Sequence, residues 1–119
     1  MSSSKYSSIH YNSYLQIDKI TSAQTLRSDE VGTHAHDEML FIITHQVYEL
    51  WFKQINFEIE AIANDFSAQT VNEKNVGIAV ARLGRIIEIM KLLIQQLGVM
   101  ETMTPLDFLD FRNYLFPAS

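Results

Sequence analysis

The chain contains no cysteine. That absence excludes a disulfide scaffold, thiolate ligation of zinc or an iron–sulfur cluster, and cysteine nucleophile chemistry. Proline and glycine are scarce, with two and four among 119 residues. So little punctuation favours helices over a many-stranded β fold. There is no basic excess either: 9 Lys+Arg stand against 14 Asp+Glu, a formal net charge of −5. Nothing in this balance supports a nucleic-acid partner or binding to an anionic membrane. No uninterrupted apolar run approaches the ~20 residues that span a bilayer, and the N-terminus lacks the apolar core of a signal peptide. The expected location is therefore cytoplasmic. Also missing are a Gly-rich phosphate loop, a G-x-S-x-G elbow and a His-Glu-x-x-His pair.

What is present is apolar: 47% of residues are hydrophobic and 11% aromatic. This composition argues against disorder, and the length fits one domain rather than two. Residues 1–10 read as a flexible leader, with five serines between Met1 and Ser8. Residues 11–119 read as a single helical domain. Its first part, to about Ile20, is an ordered arm carrying Tyr11, Tyr14, Leu15 and Ile17, with a helical turn expected near 18–24. A polar loop with few apolar anchors follows over 25–35.

The spacing then predicts an all-α bundle with two long helices and a short one. The first spans about 36–64. Asp37 and Glu38 stand in its first turn, where the helix dipole favours anions, and Asn64-Asp65 marks its exit. Phe41, His45, Tyr48, Phe52, Ile55 and Ile59 share one face at 100° per residue. The second spans about 71–97. Val76, Val80, Leu83, Ile87, Met90, Ile94 and Leu97 recur along it at i+3 and i+4, and Gly98 is its expected stop. The third spans about 105–115, with Thr104 as N-cap, Pro105 at the first helical position and Asp107 in the first turn.

Three groups of residues carry chemistry. His34, His36 and Glu38 have the composition of a metal site, but no strand or helix spacing organises them. They read as polar residues of a loop and a helix start. His45 is a lone histidine on an aromatic face. Such a residue is more often a satisfied core side chain, the alternative being a planar-ligand pocket with one titratable group. Arg112 follows Phe108 by one helical turn. It is either a solvated guanidinium lying over apolar stems, the reading favoured by pattern alone, or a carboxylate receptor.

Residues 36–53, His-Asp-Glu-Met-Leu-Phe-Ile-Ile-Thr-His-Gln-Val-Tyr-Glu-Leu-Trp-Phe-Lys, strongly resemble the tryptophan 2,3-dioxygenase family. The likeness extends upstream through Tyr11-Asn12-Ser13-Tyr14-Leu15 and Ile20-Thr21-Ser22-Ala23-Gln24. Downstream it continues through Glu101-Thr102-Met103-Thr104-Pro105 and Phe108-Leu109-Asp110-Phe111-Arg112. It covers about residues 11–116.

The resemblance implies an all-helical, haem-dependent, homotetrameric enzyme. Such enzymes insert both atoms of O2 across the indole C2–C3 bond of L-tryptophan, giving N-formyl-L-kynurenine in the kynurenine pathway. By this likeness His45 matches the distal catalytic histidine that bonds the indole N–H and sits over haem b. Phe41 matches the aromatic packed on the indole, on the same distal haem side. Arg112 matches the arginine that grips the substrate carboxylate, and Phe108 an aromatic lining the pocket. Tyr11 resembles a tyrosine near the distal histidine. Tyr14 and Leu15 match an arm over 11–20 that reaches a neighbouring subunit. The family's proximal iron ligand is a histidine on a later helix. None of the four histidines here matches it, so the expectation is the N-terminal, distal portion of a larger haem domain. A haem-free helical interaction module derived from the same family is the alternative.

Overall fold

A computed structural model describes residues 8–67 and 70–118. Its elements are α1 (Tyr11–Leu15), α2 (Ile17–Thr21), α3 (Arg27–Glu30), α4 (Glu38–Phe66), α5 (Glu73–Met100) and α6 (Pro105–Arg112), followed by a 3₁₀ turn at Asn113–Leu115. Among the described residues there is no strand. The fold is all-α, with the two long helices and the short helix in the expected places.

The boundaries differ from expectation in ways that have local causes. The long helices begin two residues later than the pattern predicts, because His36 and Asp37 form the turn that leads into α4. Helix α5 does not stop at Gly98 but continues to Met100, where the Glu101 amide closes the last turn on the Leu97 carbonyl. A glycine inside a helix costs only about 1 kcal/mol, too little to end one that is already long. Helix α6 is shorter than expected and tightens into the 3₁₀ turn after Arg112. The arm is helical earlier than expected, and Gln16 splits it with a left-handed φ of 53°. The polar loop contains α3. Of the expected leader, residues 1–7 lie outside the described residues. The Tyr14 amide bonds the His10 carbonyl at 2.8 Å, so α1 starts from His10.

Helices α4 and α5 pack antiparallel. The Tyr48 hydroxyl donates to the Leu93 carbonyl at 2.5 Å, Arg85 meets Glu58 at 3.0 Å, and Arg82 meets Asp65 at 2.5 Å. Between these cross-ties Ile55, Ile86 and Ile89 are buried, with Trp51, Ile62 and Leu93 packed against them. Truncating one such isoleucine typically costs about 2–5 kcal/mol. The seam that meets α4 is therefore Ala79, Ile86, Ile89 and Leu93. The longer apolar stripe of α5, from Val76 to Leu97, faces away and is exposed.

The radius of gyration is 20.5 Å, against about 13–14 Å for a compact chain of this length. The long helix pair dominates the shape, and much apolar surface stays on the outside. No helix among the described residues is long and apolar enough to cross a membrane.

Candidate functional site

Helix α4 places Phe41 and His45 one turn apart on the same face, with ring centroids 4.2 Å apart. The His45 Nδ1 lies 2.7 Å from the Phe41 carbonyl oxygen. A carbonyl only accepts, so Nδ1 carries the proton and a neutral ring presents Nε2 as an acceptor. The helix backbone thereby sets the tautomer of its own side chain. His45 is exposed, while Phe41 is half-buried.

Helix α6 brings the second half of the cluster. Thr104 and Asp107 form a reciprocal cap: the Asp107 amide bonds the Thr104 hydroxyl at 3.1 Å and the Thr104 amide bonds the Asp107 carboxylate at 3.2 Å. With Pro105 at the first helical position, this fixes where α6 starts. The Thr104 hydroxyl, then the Thr104 amide, hold the Asp107 carboxyl below its ordinary value, with a smaller contribution from Asp37. From that start Phe108 and Phe111 reach Phe41, at centroid distances of 5.8 and 5.3 Å. The two α6 rings meet edge to face at 5.6 Å. Phe111 is fully buried. The Arg112 guanidinium stands 6.0 Å from the Phe108 ring centre, the outer edge of a cation–π contact. Among the described residues Arg112 forms no ion pair, and its charge is exposed.

One cluster thus holds an apolar aromatic wall, an imidazole acceptor and a planar cation. Phe41, His45, Phe108 and Arg112 are brought together. Tyr11, Tyr14 and Leu15 are not: all three are exposed. The main packing of α1 within the described residues is against α2. Among the described residues, the hydrogen bonds that tie the arm to α4 lie at its base, where the Gln46 side chain donates to the Ala23 carbonyl at 2.8 Å and accepts from Gln24 at 3.0 Å. Between the arm and α4 runs a largely apolar groove of about 850 Å³ that His45 borders, with Ile20, Ile43, Val47 and Leu50 among its walls.

Among the described residues no cluster of three His, Asp or Glu side chains is arranged around a metal-sized space. The histidine-rich loop resolves into separate partnerships. His34 contacts Asp29 at 2.5 Å, and Glu38 turns inward to the amides of Arg27 and Ser28 at 2.7 and 2.9 Å.

Two residues have roles that spacing alone does not assign. Phe111 is the buried pivot of α6, and its signal was its spacing from Phe108. Its position suits Glu38 to the helix dipole, but its carboxylate caps α3. The poverty of apolar anchors over 25–35 was the hint that a polar anchor was needed.

The family model described as tryptophan 2,3-dioxygenase matches residues 2–119. A protein named tryptophan 2,3-dioxygenase from Bdellovibrio bacteriovorus is 56% identical over 115 residues, covering 97% of this chain and 32% of its own length. Its namesake from Alteromonas mediterranea is 54% identical over 110 residues, 92% of this chain and 30% of that one. The one from Anopheles gambiae is 53% identical over 109 residues, 92% and 28% respectively. The chain spans about a third of the length of these relatives.

Proposed function

The chain belongs to the tryptophan 2,3-dioxygenase family, and on that premise we propose that it supplies the substrate-facing, distal side of a haem-dependent dioxygenase. Its substrates are L-tryptophan and O2, and its product is N-formyl-L-kynurenine. The observation that carries this reading is the convergence of α4 and α6, which sets Phe41, His45, Phe108 and Arg112 in one cluster with the His45 Nε2 free to accept.

Each residue type answers one part of the substrate. A flat apolar indole fits beside aromatic rings, which Phe41 and Phe108 supply. Its N–H needs one acceptor, and His45 Nε2 is that acceptor while Nδ1 stays bound to the helix carbonyl. The amino-acid carboxylate needs a planar two-pronged donor, which Arg112 offers and a lysine would not. With no carboxylate of the described residues on it, the Arg112 guanidinium has its donors available.

The residues present fit one side of a haem. Phe41 and His45 make an aromatic edge with a single imidazole, suited to the distal face. Of the polar residues before α4, His34 is engaged by Asp29 and Glu38 by α3, so neither would be free to hold iron. When bound, haem iron supplies the activation of O2. The contribution of this chain is to hold the indole, orient the amino acid and keep a proton at Nδ1 of His45.

In this reading residues 11–119 form the N-terminal portion of a larger haem domain in a cytoplasmic homo-oligomer, a tetramer by family likeness. The exposed Tyr11, Tyr14 and Leu15 then serve a neighbouring subunit's pocket through the 11–20 arm. The test is a chimera in which this chain replaces the matching segment of the Bdellovibrio relative. A haem Soret band together with formylkynurenine formation is the expected result. A folded chimera with neither overturns the proposal.

A further inference from the structure

Helix α6 buries only Phe111, too little to orient eight residues by packing alone. What fixes it lies in the loop before α4. Glu38 is 1% exposed, and its carboxylate spans two amides of α3, Arg27 at 2.7 Å and Ser28 at 2.9 Å. The N-cap of α3 is Leu26, which has no side chain able to cap, so this distant carboxylate does the capping.

Ser28, fully buried, then ties the loop to itself. Its hydroxyl accepts from the Ala35 amide at 3.0 Å and its carbonyl from the Thr33 amide at 2.8 Å. The Thr33 hydroxyl donates to the Tyr114 hydroxyl at 3.1 Å, and Tyr114 lies two residues past Arg112. A continuous set of contacts therefore runs from the first residue of α4, through Ser28 and Thr33, to the 3₁₀ turn that follows α6.

We propose that Glu38 is a positioning residue for the substrate site. By capping α3 it shapes the 26–35 loop, and through Tyr114 that loop sets Arg112 and Phe108 relative to His45. The inference rests on the reading of Arg112 as the carboxylate receptor. The start of α6 has a separate polar tie to the start of α4, since Asp37 acts on the Asp107 carboxyl; the turn after α6 is tied through Thr33 and Tyr114.

The test uses two variants, measured on the haem-loaded assembly that contains this chain. Glu38→Gln keeps the shape but turns an amide donor toward a buried N–H, costing a bond and adding a repulsion. Tyr114→Phe removes only the hydroxyl link and guards against a misfolded first variant. The expected KM for L-tryptophan rises roughly tenfold for Glu38→Gln and about threefold for Tyr114→Phe, with kcat within about twofold. In an Arg112→Ala background neither variant raises KM further, because the group they position is gone. Amide exchange before haem loading accelerates over 27–35 and 105–115 and stays unchanged over 51–93.

KM effects that multiply in the Arg112→Ala background, or unchanged exchange at 105–115 in both variants, overturn the positioning role alone. An Arg112→Ala protein with unaltered KM overturns the substrate reading beneath it, and the positioning role with it.

Discussion

His45 donates its Nδ1 proton to the carbonyl of Phe41, 2.7 Å away and one turn earlier on the same helix. The bond costs the helix nothing, since that carbonyl has a second lone pair. It commits the neutral ring to presenting Nε2 outward. On the proposed reading, a substrate N–H would meet an acceptor whose tautomer is already chosen. Replacing His45 with leucine keeps an apolar side chain and removes the acceptor. Wild type is expected to prefer L-tryptophan over its N1-methyl analogue by roughly tenfold in kcat/KM, the worth of one hydrogen bond. His45→Leu should flatten that ratio. Parallel steady-state assays of the two substrates check it, and a preference that survives the substitution removes His45 from indole recognition.

Arg112 ends α6 beside Phe108, with its guanidinium 6.0 Å from that ring. A lysine there keeps the charge but loses the planar fork. Arg112→Lys is expected to raise KM for L-tryptophan by about ten- to thirtyfold. The same change should leave the decarboxylated amine nearly unaffected. Comparing the two substrates separates carboxylate recognition from a general disturbance of α6, which would penalise both alike.

How much of this was legible in the sequence depends on the range of the interaction that decides it. Helices α4 and α5 follow from periodicity, because a long apolar repeat without glycine-rich or proline breaks has few other folds to join. The cap of α6 was equally plain, since Thr104, Pro105 and Asp107 act within one turn. The stripe from Val76 to Leu97 was visible too, but not which way it faces. Facing is settled by which seam of α5 meets Ile55, and periodicity carries no partner. Glu38 was misread for a related reason. Next to a helix start, a carboxylate looks like a dipole partner, whereas its real partners are Arg27 and Ser28, ten or more residues upstream. For the site, the α4 face was readable as an aromatic surface with one histidine. Its meeting with Phe108 and Phe111 depends on a loop whose contacts no spacing encodes.

Glu58 and Arg85 make an asymmetric pair between α4 and α5. The carboxylate side chain is 5% exposed and the guanidinium 63% exposed, at 3.0 Å. Solvent screens the arginine, so the attraction itself contributes little. Removing the partner is another matter, because the carboxylate stays buried without compensation. Arg85→Ala is expected to destabilise by about 1–2 kcal/mol, more than Glu58→Leu, which removes the buried charge and fills its space. Chemical denaturation of the two variants gives the order. A larger loss for Glu58→Leu would contradict the uncompensated carboxylate as the dominant cost, since both variants lose the ion pair.

Asp107 makes the placement of α6 sensitive to acid. Its carboxyl is held below the ordinary value, first by the Thr104 hydroxyl and then by the Thr104 amide. A group whose folded pKa is depressed binds fewer protons folded than unfolded as pH falls through that window. Its stabilisation is therefore complete above the unfolded pKa and lost as pH drops through the folded one. Because the group is exposed, the loss is local: the cap opens and α6 frays from Thr104, while α4 and α5 keep their packing. The Thr104 amide resonance is expected to titrate with a midpoint below that of an ordinary aspartate. Amide protection over 105–112 should fall with it, whereas the Ile86–Leu93 stretch should stay protected. Asp107→Asn should show no such titration and start from weaker protection of α6 at neutral pH. A Thr104 midpoint at or above the ordinary carboxylate value, or loss of protection in α5 at the same pH, would contradict a local cap.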